Sequence, residues 1–127
     1  MKNKRYIRLA KRVAEGSDYG KFRHGAVLVK GSSVRNVSCN KQRHCGFGTR
    51  FRNPEKGDAT LHAELGAILG VDRNVTRGST VYVARINKEG QAKISKPCPM
   101  CQNAMKHVGV RKVVYTDEEG DIVSMKL

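Results

Sequence analysis

Two short stretches, His62-Ala63-Glu64 and Pro97-Cys98-Pro99-Met100-Cys101, hold the residues of this chain best suited to chemistry. His62, Cys98 and Cys101 offer one imidazole nitrogen and two thiolates, a donor set that selects zinc, and three protein ligands leave the fourth tetrahedral position open. An open position is the mark of a catalytic site. Glu64 stands two residues from His62, too close to be a comfortable fourth ligand but well placed to hydrogen-bond a water at the metal, so it reads as a proton carrier. A closed structural site completed by Cys39, Cys45, His44 or His107 is the competing reading, although a carboxylate two residues after the histidine would serve no purpose there. A second metal site at Cys39, His44 and Cys45 is weighed against a plainer reading, in which one cysteine is a small buried residue and the other a loop thiol.

The reaction such a site supports is hydrolytic removal of an amino group from an aromatic amidine carbon. Zinc lowers the pKa of bound water from about 15.7 to about 7, which supplies the nucleophile at neutral pH. Glu64 would take that water's proton, pass it to the ring nitrogen, and then protonate the departing amine.

The elements that must position these residues follow from periodicity and punctuation. Residues 3–15 carry apolar side chains at helical spacing and end at Gly16. Residues 25–30 and 34–39 read as two strands joined through Gly31-Ser32-Ser33. Residues 40–61 show no sustained period and read as a long loop leading into the site. A helix begins at Thr60, with His62 in its first turn, and ends near Gly70. Residues 79–86 form a buried strand, and Asn87 to Gln91 a turn. Pro97 and Pro99 open a helix that stops at Gly109, Val110 to Thr116 is a strand, and Ile122 to Leu127 returns as its antiparallel partner across the 117–121 turn. The order is α, β, β, α, β, α, β, β, a mixed five-stranded sheet covered by three main helices. Unpaired N–H groups and the positive end of the macrodipole at a helix start favour thiolates, and two helix starts side by side can clamp one ion.

Composition bounds the rest. A chain of 127 residues with 39% apolar content is expected to form one domain, residues 1–127, with its own core. No run approaches the length of a membrane span and no signal-like h-region occurs, so a cytoplasmic protein with reduced cysteines is expected. The outlier is a net charge of +14, which attracts polyanions and makes nucleic acid a candidate partner. One basic group, Lys2 to Arg12, precedes Glu15, and a second, Lys41, Arg43, Arg50, Arg52 and Lys56, leads into His62. Phe47 and Phe51 among these arginines read either as a surface for stacking bases or as anchors for the loop.

His62-Ala63-Glu64, the Pro97 to Cys101 run, Lys106-His107-Val108-Gly109-Val110 and Lys112-Val113-Val114-Tyr115 resemble the cytidine and deoxycytidylate deaminase superfamily over residues 24 to 116. The resemblance implies a three-layer α/β/α fold with zinc, catalysis by Glu64, sugar contact by Asn40, and base contact by the Ala63 backbone N–H. The chain departs in ending on a tight turn and a few residues, where deoxycytidylate and tRNA-editing members continue into a helix and a parallel strand; a hairpin end is similar to the free cytidine deaminases. The expected activity is zinc-dependent deamination of a cytosine nucleoside or nucleotide, most readily deoxycytidine monophosphate, with Arg50 and Arg52 gripping the 5′ phosphate. A polynucleotide deaminase acting on cytosine or adenine is the rival, a non-catalytic basic zinc-binding module a third reading, and a homo-oligomer is expected.

Overall fold

The structure, a computed structural model, describes residues 2–52 and 60–127. Lys56, read above as part of the basic group before His62, and the part of the expected 40–61 loop at residues 53–59 lie outside the described residues. Helix α1 (Lys2–Ala14) precedes the hairpin of β1 (Arg23–Lys30) and β2 (Ser33–Cys39). Then come the short β3 (Lys41–His44), α2 (Gly46–Thr49) and β4 (Thr60–Leu61), helices α3 (Ala63–Ile68) and α4 (Arg73–Thr76), and strands β5 (Thr80–Ile86) and β6 (Ala92–Lys93). Helix α5 (Pro99–His107) and strands β7 (Lys112–Thr116) and β8 (Ile122–Lys126) complete the order.

The main sheet runs β2-β1-β5-β7-β8, with β6 added to β5. Among the described residues only β5 and β7 pair in parallel, as a crossover through α5 requires. The final pair is antiparallel from Lys112 opposite Lys126 to Thr116 opposite Ile122, the expected hairpin end. Side-chain alternation then divides the core in two. Leu28, Val81, Val83 and Val113 face α3 and α5; Val27, Val29, Tyr82 and Val114 face α1. The expected three-layer α/β/α architecture is present, with Gly31 and Ser32 both at positive φ (59° and 62°) in the β1–β2 turn.

Two expectations change. The 40–61 segment contains β3, α2 and β4, each four residues or fewer and thus too short to leave a period. The α3 helix begins at Ala63, so His62 is its N-cap, with extended backbone (φ −79°, ψ 152°) rather than a first-turn residue. The cause is pairing of Leu61 with Lys41, a tertiary contact that overrides the helical pattern of Thr60 and Leu61.

The site-bearing α3 is set on the sheet by β2. The Asn36 amide donates to the carbonyls of Gly66 and Ala67 (3.3 and 3.1 Å) near the end of the helix. Gly66 lies so close to β2 that a Cβ there would collide with the Ser38 side chain, 2.8 Å from its Cβ. Gly66→Ala is therefore expected to lose about 2 kcal/mol of stability in urea unfolding, in the range for overpacking. Adding Ser38→Gly should restore most of it.

Candidate active site

Each chemical side chain sits at the start of a helix. His62 caps α3 and Cys98 caps α5 with Pro99 in the first turn, while Glu64 and Cys101 lie within the first turns of these helices. Both helices pack on the same sheet face, so their N-termini converge. The Nδ1 of His62 lies 3.3 Å from Cys101 Sγ and 3.8 Å from Cys98 Sγ, and the three donor atoms fall within 4.8 Å of one another. For a tetrahedral zinc with zinc–nitrogen and zinc–sulfur distances of about 2.1 and 2.3 Å, nitrogen and sulfur stand about 3.5 Å apart. The observed spacings bracket that value, and the donor set has the softness zinc requires.

The pKa shifts record how closely the three donors crowd one another, with protons shared among them: Cys98 is shifted toward the thiolate, while Cys101 and His62 are shifted toward their protonated forms. A hydrogen bond from the Cys101 thiol holds Cys98 down to about 4, with His62 contributing, despite partial burial. Cys101 is pushed well up by the same bond and by burial. Hydrogen bonding to Cys98 raises His62. Glu64 is buried, at 4% exposure, and burial raises its carboxyl while contact with the Cys101 thiol works in the opposite direction. A buried carboxyl that holds its proton more firmly than usual is suited to relaying a proton within the site.

Beside the donors lies a cleft of about 260 Å³ whose wall includes His62, Ala63, Glu64, Cys98 and Asn40. Asn40 reaches it through backbone pairing: Lys41 is opposite Leu61, which places the residue before one strand beside the residue after the other. Its amide also clasps the entry of β1, accepting from His24 N–H (2.9 Å) and donating to the Phe22 carbonyl (2.7 Å). One amide hydrogen and one oxygen lone pair remain for the cleft.

Neither of the two arginines expected at the substrate lines this cleft. Arg52 lines an adjoining cavity of about 470 Å³ that reaches His62 and Cys98 from the side of Phe51 and Asn103. Arg50 is exposed, with its guanidinium over the Phe51 ring (5.8 Å to the centroid), and lines neither space. Phe47, Phe51 and His107 stack in succession with centroids 5.3 Å apart, so the two phenylalanines anchor their segment to α5. Among the described residues, His62, Cys98 and Cys101 form the one group of three or more metal-binding side chains; Cys39, His44, Cys45 and His107 do not join it, and Cys45 is buried in the core.

Sequence reasoning missed Tyr19, Phe22, His24, Thr60 and Lys96 in the cleft wall. The antiparallel hairpin held the signal, because a residue just after β2, such as Asn40, must face residues at the start of β1. Lys96 had a signal too, as the cation next to the Pro97-Cys98 pair.

The family described as the cytidine and deoxycytidylate deaminase zinc-binding region matches residues 1–117. The chain belongs to that family and is a zinc-dependent hydrolytic deaminase. It is 28% identical to the deoxycytidylate deaminase of Mycobacterium phage D29 over 128 aligned positions, covering 89% of this chain and 92% of the relative. Its fold is shared by the apo dCMP deaminase of cyanophage S-TIM5 (TM-score 0.64, 24% identity, 91% of this chain and 82% of the other). That enzyme has also been solved with dCMP and dUMP (TM-score 0.63, 24% identity, 91% and 80% coverage). The cytidine deaminase of Burkholderia pseudomallei is similar as well, with TM-score 0.66, 22% identity, and 99% and 93% coverage.

Burial, aided by the Arg85 charge, pushes His24 down from 6.5 to about 4. Between these values the unfolded chain binds a proton that the folded chain refuses, so stability should fall as pH drops from about 6.5 toward 4, by up to about 3 kcal/mol. Comparing urea unfolding of wild type and His24→Gln across this range checks it. The variant should lack this part of the decline.

Proposed function

We propose that the chain acts as one deaminase unit on deoxycytidine monophosphate, converting it to deoxyuridine monophosphate with release of ammonia. The observation that carries this reading is the cleft itself. Its wall includes two of the three candidate zinc donors, His62 and Cys98, together with Glu64, the Asn40 amide and a cation, Lys96. The 28% identical phage relative is a deoxycytidylate deaminase, and the S-TIM5 enzyme of the same fold was solved with dCMP and dUMP.

His62, Cys98 and Cys101 would hold the zinc, which supplies a Lewis acid that makes water nucleophilic at neutral pH. Glu64 accepts a proton from the attacking water and delivers it to N3 of the base as the new carbon–oxygen bond forms at C4. It then takes the proton of the new C4 hydroxyl and gives it to the amino group; the C4–N bond breaks, ammonia departs, and the C4 carbonyl remains. The Ala63 N–H, a first-turn donor without an intrahelical acceptor, orients the base. Asn40 uses its remaining amide hydrogen on the sugar. Lys96 lies within the cleft and Arg52 beside it, so these two cations are the candidates to meet the 5′ phosphate; Arg50, stacked on Phe51, stands further out.

Metal analysis is expected to find about one zinc per chain, lost in His62→Ala, Cys98→Ala and Cys101→Ala variants. Glu64→Gln should keep the metal and the fold while turnover falls by several orders of magnitude, since both proton transfers depend on that carboxylate.

The substrate is tested by ammonia release from cytosine, cytidine, deoxycytidine, their monophosphates, adenosine, single-stranded DNA and tRNA. Turnover should be fastest with deoxycytidine monophosphate. Lys96→Ala should lower kcat/KM for the monophosphate by roughly tenfold or more, the scale of one charge-assisted contact, and leave the nucleoside nearly unaffected. Turnover confined to polynucleotides would overturn the assignment.

A further inference from the structure

The charge of this chain is unevenly placed. Residues 1–54 contain 14 lysines and arginines against two acids, Glu15 and Asp18, whereas residues 55–127 contain 11 against nine. Nearly all the net charge therefore belongs to α1, the β1–β2 hairpin and the segment that follows. The catalytic cleft accounts for little of it.

On α1, Arg5, Arg8 and Arg12 recur at i, i+3 and i+7 and share one helix face. Arg5, Arg8 and Arg12 are exposed, and with Leu9 and Val34 they line a groove of about 300 Å³ between the helix and β2. Val34 is 41% exposed and lies by the hairpin turn, at the opposite end of β2 from Asn40. The opposite face of α1 is spent: Tyr6, Ile7, Ala10 and Ala14 are 0–3% exposed against the sheet, and the Tyr6 hydroxyl donates to the Ser32 carbonyl. The helix consequently has no apolar face to insert into a bilayer, and a basic amphipathic helix on a membrane would need one.

We propose that this groove binds the backbone of a single-stranded polynucleotide, at a site separated from the deaminase cleft by the sheet. Guanidinium groups suit phosphate oxygens because their planar fork donates two parallel hydrogen bonds. From Arg5 to Arg12 the helix advances about 10 Å, at about 1.5 Å per residue, a length that spans several phosphates of a strand. Leu9 and Val34 add apolar surface to the groove, against which the unpaired bases of a single strand can rest, whereas those of a duplex are stacked inside it. No acid occurs before Glu15 to oppose such a ligand.

Fluorescence anisotropy of the zinc-loaded protein with a labelled 20-nucleotide oligothymidylate, and with a 20-base-pair DNA duplex, tests the site. The single strand should bind in a strongly salt-dependent way and more tightly than the duplex. In the triple variant Arg5→Ala, Arg8→Ala, Arg12→Ala, affinity at about 0.1 M salt should fall at least tenfold. The slope of log affinity against log salt should shrink by about 2, at about 0.7 per phosphate contact for three contacts. Turnover of deoxycytidine monophosphate should stay at the wild-type value, because none of these side chains lines the cleft; the thermal midpoint should change little, since the side chains are exposed and only the Arg5 guanidinium, 5.2 Å from the Tyr6 ring centroid, rests on a core residue. Wild-type binding by the triple variant, preference for the duplex, or displacement of the strand by saturating deoxycytidine monophosphate would each overturn the proposal.

Discussion

The chemistry of this protein depends on the convergence of two helix starts. An imidazole nitrogen from the start of α3 and two sulfurs from the start of α5, 36 and 39 residues further along the chain, must come within 4.8 Å of one another. The sheet supplies the platform. Both α3 and α5 are seated on the face formed by Leu28, Val81, Val83 and Val113, and the parallel β5–β7 pairing obliges α5 to cross that face on its way between them. A helix start is also the place where backbone N–H groups have no internal acceptor, so the field there favours thiolates and an oriented base alike. Packing and reactivity thus draw on the same geometry.

Placement of the first helix start is more delicate than that of the second. The α5 helix has nine residues and a proline in its first turn, features that fix its beginning locally. The α3 helix has only six and would be marginal alone. It is held by the Asn36 amide on its late carbonyls, by Gly66 lying against Ser38, and by the pairing of Leu61 with Lys41 just before it. That last contact also puts Asn40 beside His62. Asn40 therefore acts twice: it ties the start of β1 to the end of β2, and it offers its leftover hydrogen-bonding capacity to the cleft. Removing its side chain would disturb both, so activity lost on its substitution would not by itself report sugar recognition.

The cleft is not a strongly positive funnel. Its wall combines a buried carboxylate, a histidine kept neutral by burial, and the exposed ring of Phe22, which carries the Arg85 guanidinium on one face at 4.6 Å. The bulk of the net charge sits on other elements, which is why +14 is a poor guide to what occupies the active site. A small anionic substrate needs one or two cations near its phosphate; it gains little specificity from charges on the far side of a sheet, where screening acts within about 10 Å.

The sequence by itself determined which three side chains form the candidate metal cluster, the carboxylate next to it, the order of the main elements and the β7–β8 hairpin. Each of these is written locally: His-x-Glu and Cys-x-x-Cys are short-range patterns, prolines and glycines punctuate α5, and β1 and β5 are continuous apolar runs. The tertiary structure alone decided how the 40–61 segment is used. Its strands, of four and two residues, gain their hydrogen bonds only when two distant pieces meet, and no periodic signal records such a meeting. For the same reason His62 became an N-cap instead of a helical residue, and Arg50 and Arg52, adjacent in the chain but for Phe51, parted company. The fixed stack of Phe51 on His107 leaves Arg50 over the ring and turns Arg52 toward the donors, a choice made by side-chain packing that spacing along the chain does not encode.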